Sequence, residues 1–269
     1  MGGSAADPLL PRMRSPLADP DGIDYVLLRE NSEGLYPGRE GDLADLVRLM
    51  PDLHDRTGRT VKEFGTEGRF AVKIVTPRGA ERIARFACDL ARKRRARGKP
   101  GKVTLVTKSN VLPKTDGLYD EIVGRIVREA GLPFEHFHVD DAARRLVRFP
   151  KAMDVVLCMN LYGDILSDLG AETAGGLGLA PSGNFGDGWA YFESVHGSAP
   201  DIAGKGIANP TATILSAALM LEHMGLAAEA QRLEAAVGRV YRDGKVLTPD
   251  QGGSARTRDM AQAVLAAYR

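Results

Sequence analysis

The sequence predicts an α/β protein of two domains, in which a mixed or parallel sheet is flanked by helices and carries a β-arm. Three observations predict it. Short apolar runs such as VTLVT and DVVLCM alternate with helical patterns, as strands joined by crossover helices do. The stretch GGLGLAPSGNFGDG (175–188) interrupts that alternation with a long glycine-rich connection. Three helices rich in Ala and Leu follow it. The expected division is a domain over 1–175, with the arm at about 50–76, and a second over 176–269.

Taken in order, residues 1–20 are rich in Pro, Gly and small side chains and read as an extended lead-in. An Asp-Gly turn then opens Ile23–Leu28 (IDYVLL), a short apolar run expected to be a buried strand. Residues 60–76 hold two β-prone pieces around GTEG, which predicts a hairpin or arm. Pro77 starts a helix that runs to about Arg97, with proline at a tolerated first-turn position, and Gly98–Gly101 breaks it. Val103–Thr107 is the next strand. Asp116 is expected to cap a helix through Ala130, ended by Gly131 and Pro133. Asp140 or Asp141 caps another that closes at LVRFP, and Asp154–Met159 forms a further strand. The last three helices are expected over Pro210–Met224, Leu226–Arg242 and Ala255–Ala267.

Apolar residues make up 43% of the chain and charged ones 26%, which is the balance of a globular protein with a sizeable core. Net charge is +1, so nothing global draws the chain to nucleic acid or an anionic membrane. The local run ARKRRARGK (91–99) has no interleaved aromatic residues and reads as the solvated end of a helix, where the dipole favours cations. Cys88 and Cys158 each lie inside an apolar segment, so they predict two buried thiols, a reducing compartment and no disulfide framework. Neither a signal-peptide pattern nor a membrane-length apolar stretch is present, and a cytoplasmic location is expected.

The segment NLYGDILSDL (160–169) sets Asp164 and Asp168 four apart among Leu161, Ile165, Leu166 and Leu169. On a helix the two carboxylates share a face and repel. The spacing fits a helix cap at Asp164 with a solvated Asp168, but the apolar neighbours and the repulsion favour a hard divalent cation such as Mg²⁺ or Mn²⁺ held by both. In LLRENSEGLYPG (27–38), Arg29 stands at a strand end, suited to gripping a carboxylate, with Tyr36 seven residues on as a possible proton donor. Each taken alone also fits a rim ion pair and a packed tyrosine. Lys108, at the end of VTLVT, reads in isolation as a surface lysine. VHGSAPDIAGKGIANP (195–210) combines small residues that let backbone approach a ligand with an Asp able to bond ribose hydroxyls, although it is not G-x-G-x-x-G.

Five segments in this order, LLRENSEGLYPG, TKSNVLP, VDDAARRLV, MNLYGDILSDL and VHGSAPDIAGKGIANP, resemble the β-decarboxylating dehydrogenases. That family comprises the isocitrate, isopropylmalate, homoisocitrate and tartrate dehydrogenases. The resemblance implies an isopropylmalate dehydrogenase-like two-domain fold and a homodimer with active sites shared across its interface. It implies oxidative decarboxylation of a small 2-hydroxy acid with NAD and Mg²⁺ or Mn²⁺. Arg29 would bind a substrate carboxylate, and Tyr36 and Lys108 would be the acid–base pair, with Lys108 reaching into the neighbouring protomer. Asp140, Asp164 and Asp168 would hold the metal, Asp140 from across the interface. His196, Gly197, Ser198, Ala199, Asp201, Ile202 and Asn209 match the family's adenosine-binding loop, and Asp201-Ile202 looks like its NAD version.

The family's opening segment of roughly a hundred residues, which carries the glycine-rich turn of the cofactor domain and two further substrate arginines, has no counterpart before Asp21. Residues 176–269 are therefore expected to form only the C-terminal half of a cofactor domain. A non-catalytic or regulatory dimerising subunit is the alternative to an enzyme. The substrate stays open, because RENSEG resembles the isocitrate, homoisocitrate and tartrate branches while residues 195–210 fit isopropylmalate enzymes.

Overall fold

A computed structural model describes residues 16–17 and 22–269, so the lead-in expected over residues 1–20 lies almost wholly outside the described residues. Two compact units are present. One holds residues 27–139 and 155–164; the other holds 140–154 and 165–269 with the described residues up to Val26.

The first unit takes β1 (Val26–Arg29) from Leu27 onward, then β2 (Glu40–Asp42), α1 (Leu43–Leu49), β3 (Arg69–Ala71), α2 (Pro77–Ala96), β4 (Val103–Thr107), α3 (Thr115–Glu129) and β5 (Phe134–His138). After α4 (Val139–Arg148) the chain returns through β6 (Val155–Cys158) and enters α5 (Asn160–Thr173). The sheet order is β1-β6-β4-β5. β4 is parallel to both neighbours, with Leu105 opposite His136 and Leu157. Alternate strand residues face one side, and Val103, Leu105, Val155 and Leu157 all enter the core there. α2 supplies Ala80, Ile83, Ala84, Ala87, Cys88 and Ala91, a stripe spaced by three and four. α3 supplies Tyr119, Ile122, Val123, Ile126 and Val127 in the same rhythm. Leu105 and Leu157 are fully buried, and truncation of either to alanine carries a cost of about 2–5 kcal/mol.

Several elements differ from expectation, among them α4, which begins at Val139 so that Asp140 and Asp141 lie in its first turn and do not cap it. No hairpin forms around GTEG: Glu63 Oε2 accepts from the Thr60 amide at 2.6 Å, a reciprocal cap that winds Val61–Phe64 into a 3₁₀ turn. β3 pairs instead with the distant β2, where the Phe70 ring packs so close to Gly41 that a Cβ there would lie 2.7 Å from it. β5 was not expected at all; its Glu135 and His136 dilute the apolar signal, and it sits half-buried at the sheet edge. Asp116 is not a cap either, since Lys114 holds that position. α2 follows the prediction closely, with Thr76 accepting from the Gly79 amide at 3.2 Å and Pro77 in the first turn. Its basic end is solvated at Arg92, Lys93, Arg95 and Arg97, although Arg94 is buried.

In the second unit, residues 175–188 are more than a connection. They contain a 3₁₀ turn over Leu177–Leu179 and then β7 (Pro181–Phe185), which pairs antiparallel with β8 (Ala190–Ser194). α6 (Thr211–His223), α7 (Ala227–Asp243) and α8 (Thr257–Tyr268) follow, close to the predicted bounds. Leu179, Leu215, Val237, Val240, Tyr241, Met260 and Val264 form their core. Both cysteines are buried free thiols, and among the described residues no helix is long and apolar enough to cross a membrane.

Tyr241 is fully buried, with its hydroxyl 3.0 Å from Thr211 Oγ1 and accepting from Asn209 Nδ2 at 3.1 Å. Burial pushes its phenol up to about 12 from the ordinary 10.0. Between those two pH values the unfolded chain has lost a proton that the folded chain keeps. Stability therefore falls as pH rises through that window, by up to about 3 kcal/mol from this group alone. Urea midpoints measured at stepped pH above 10.0 are expected to decline, and a flat profile there would contradict the buried assignment.

Candidate functional site

The turn after β1 is built around a buried acid. Glu30 is 4% exposed, and its carboxylate accepts from the amides of Ser32 and Glu33, both at 3.0 Å, from the Ser32 hydroxyl, and from Arg82 Nη2 at 3.1 Å. Glu33 in turn accepts from the Thr76 amide at 2.8 Å and from its hydroxyl. Gly34 takes φ +84°, a left-handed conformation that suits glycine. These anchors leave Arg29 projecting from the strand end and Tyr36 exposed beyond the turn.

The first turn of α5 meets them. Arg29 Nε donates to Asn160 Oδ1 at 2.9 Å, and Arg29 Nη1 pairs with Asp164 Oδ1 at 2.5 Å. Tyr36 donates its hydroxyl to Asp164 Oδ2. The Arg29 guanidinium carbon stands 4.5 Å from the centre of the Tyr36 ring. Asn160 Nδ2 donates to the Glu33 carbonyl at 2.9 Å and so locks the turn to the helix. Gly163 makes the approach possible, because a Cβ on it would lie 2.7 Å from Arg29 Cγ. The hydrogen bond to Asp164 holds the Tyr36 phenol above its ordinary value, and the charge on that carboxylate adds to the effect. Arg29, Tyr36 and Asp164 thus form one contact cluster, and Asn160 is a member that the sequence reading did not single out.

Lys108 is half-buried where β4 ends. Its amide donates to Asp116 Oδ2 at 2.8 Å. Asp168 lies one helical turn beyond Asp164 on α5 and is exposed. Asp140 is exposed in the first turn of α4. Carboxylate oxygens are the donors a hard divalent cation takes. Among the described residues, however, no three His, Cys, Asp or Glu side chains gather so as to hold a metal. Two acids a turn apart on one helix are a partial donor set.

In the second unit, Gly197, Ser198, Ala199 and Asp201 are exposed, with His196 and Ile202 half-buried. Ala199 has φ +47°, the positive value found at no other described residue except glycines. It turns the chain into a 3₁₀ turn over Pro200–Ile202. The loop is pinned from outside: the Thr257 amide donates to the Gly206 carbonyl at 2.9 Å and its hydroxyl to the Ala208 carbonyl at 2.5 Å. Asn209 is buried, donating to Tyr241 and, at 2.9 Å, to Asp250 Oδ2 while accepting from the Thr211 amide at 3.0 Å. Its side chain fixes the loop end. A small-residue loop that is anchored at its end yet exposed, with an acid on it, offers an acceptor to a nucleotide ribose.

Comparison with known proteins agrees with the family resemblance. Residues 10–264 match the family model described as isocitrate/isopropylmalate dehydrogenase. The 3-isopropylmalate/3-methylmalate dehydrogenase of Methanocaldococcus jannaschii is 46% identical over 243 residues, covering 90% of this chain and 66% of that protein. The isocitrate/homoisocitrate dehydrogenase of Thermus thermophilus is 44% identical over 250 residues, covering 92% of this chain and 66% of that protein. The chain therefore spans about two thirds of the length of these relatives. The crystal structure of isocitrate dehydrogenase from Methylococcus capsulatus superposes with a TM-score of 0.82 at 40% identity, covering 97% of this chain and 70% of that one.

Proposed function

Because this chain belongs to the isocitrate/isopropylmalate dehydrogenase family, we propose that it carries the catalytic centre of an NAD- and Mg²⁺- or Mn²⁺-dependent oxidative decarboxylase. Its substrate class is a 2-hydroxy acid of the isopropylmalate or isocitrate type. The observation that carries the reading is the contact cluster of Arg29, Tyr36 and Asp164, assembled from two of the family's motifs.

Arg29 offers a planar fork for a substrate carboxylate. Its ion pair with Asp164 holds that fork in place before substrate arrives. Once the guanidinium turns to a substrate, the Asp164 carboxylate is released for a cation. Asp164 and Asp168 give part of the oxygen set, and Asp140 supplied across a homodimer interface completes it. When bound, the metal supplies Lewis acidity at the substrate hydroxyl and NAD supplies the hydride acceptor. Tyr36, freed of its hydrogen bond to Asp164 in the same step, is the proton donor of this reading. Lys108 is the base that takes the substrate's hydroxyl proton in the neighbouring site. Asp201 accepts hydrogen bonds from a ribose 2′-hydroxyl and repels a 2′-phosphate, and Asn209 holds the loop that presents it.

The direct test supplies isocitrate, isopropylmalate, homoisocitrate and tartrate in turn, with Mn²⁺ and either nicotinamide cofactor, and follows reduction of the cofactor. One acid is expected to reduce NAD at least about tenfold faster than NADP. No reduction with any of the four, in a protein shown by calorimetry to bind Mn²⁺, would defeat the catalytic reading. A preference for NADP would defeat the assignment of Asp201.

A further inference from the structure

Asp116 lies at the start of α3, fully buried, yet it does not cap the helix. Its carboxylate collects donors from four places. Oδ1 takes the Lys73 ammonium and, at 3.1 Å, the Thr115 hydroxyl. Oδ2 takes the Lys108 amide at 2.8 Å and the Tyr162 hydroxyl at 3.0 Å. Lys73 Nζ also stands 3.5 Å from the Tyr162 hydroxyl and 5.0 Å from the centre of its ring. An ion pair this deep gives back much of its attraction as desolvation, and an apolar pair of similar volume would serve stability as well. What the apolar pair would not do is fix directions, whereas a saturated carboxylate sets one arrangement of its donors.

Those donors are informative. Lys108 N–H marks the point where that side chain leaves β4. Tyr162 belongs to the first turn of α5, between Asn160, which grips Arg29, and Asp164. We propose that Asp116 is a positioning residue: through the Lys108 amide and the Tyr162 hydroxyl it sets the catalytic lysine in register with the α5 turn that carries Asn160 and Asp164. The inference rests on the acid–base role given to Lys108 above. In that reading Lys108 serves the neighbouring protomer, so one buried carboxylate holds parts of two active sites.

The test uses the full chain with Lys73→Met and Asp116→Leu together, which removes both charges and the acceptor. Tyr162→Phe, which removes a single hydroxyl, is the second variant. Hydrogen exchange at the Lys108 amide reads the anchor directly, and steady-state kinetics read its consequence. In the double variant the Lys108 amide is expected to exchange about tenfold faster. Its kcat is expected to fall about 100-fold while KM stays within about threefold, the signature of a misplaced group and not of lost binding. Tyr162→Phe shifts both readouts in the same direction by less. An unchanged Lys108 exchange rate in both variants overturns the proposal, as does a freed amide with unchanged kcat. If the double variant does not fold, Tyr162→Phe decides by the same criteria. If the parent protein turns over none of the acids, the catalytic reading has failed, and Lys108 exchange together with its rate of reductive methylation still judges the anchor.

Discussion

Asp164→Asn lowers Mn²⁺ affinity by about tenfold or more, with little change in thermal stability. The two outcomes separate because of what Asp164 touches. Its ion pair with Arg29 joins side chains that are 28% and 43% exposed, and water screens a pair of that kind to about 0–1 kcal/mol. Asparagine keeps one oxygen to accept from Arg29 or Tyr36, so the cluster stays assembled. A divalent cation, by contrast, draws chiefly on the negative charge that asparagine lacks. Calorimetric titration with Mn²⁺ on both proteins, beside melting curves followed by circular dichroism, reads the difference. Equal affinities would remove Asp164 from the metal set. A large fall in melting temperature would make the residue structural first.

The same cluster shows where reading a sequence stops. Arg29 and Asp164 are 135 residues apart, and Tyr36 and Asp164 are 128 apart. Each reads locally as a strand-end arginine, a loop tyrosine or a helix carboxylate, and only the parallel pairing of the sheet brings them into contact. Elements whose signal is local were legible. Val103–Thr107 is buried throughout because both faces of the strand are covered, and the α2 stripe repeats at the helical period. β5 was illegible because an edge strand tolerates Glu135 and His136, and β7 because Pro181 and Gly183 mimic a linker. Asp116 is the sharpest case. An aspartate beside the start of a helix is the expected cap, and no local rule tells a solvated cap from a buried anchor for Lys73, Lys108 and Tyr162. The roles proposed for Lys108 and Asp140 rest on the family motifs alone.

Lys73→Met is expected to destabilise the protein by about 3–5 kcal/mol, well beyond the cost of breaking an exposed ion pair. The Lys73 and Asp116 side chains are 15% and 0% exposed, so the carboxylate has almost no water to fall back on. Methionine preserves the length and apolar contacts of the lysine stem and removes only the ammonium. What remains around Asp116 is neutral: the Lys108 amide, the Tyr162 hydroxyl and the Thr115 hydroxyl. Those donors orient a charge but do not compensate it. In a domain of this size the loss corresponds to a melting temperature lower by about 10 °C. Arg92→Met is the control. Arg92 and Asp89 are 53% and 69% exposed, and breaking their pair should change stability by no more than about 0.5 kcal/mol. Adding Asp116→Leu to Lys73→Met should recover most of the loss, because it removes the stranded charge itself. Urea denaturation of the four proteins orders these effects. A Lys73→Met penalty no larger than that of Arg92→Met would mean the pair is solvated in the native state, and the argument for a saturated, direction-setting carboxylate at Asp116 would go with it.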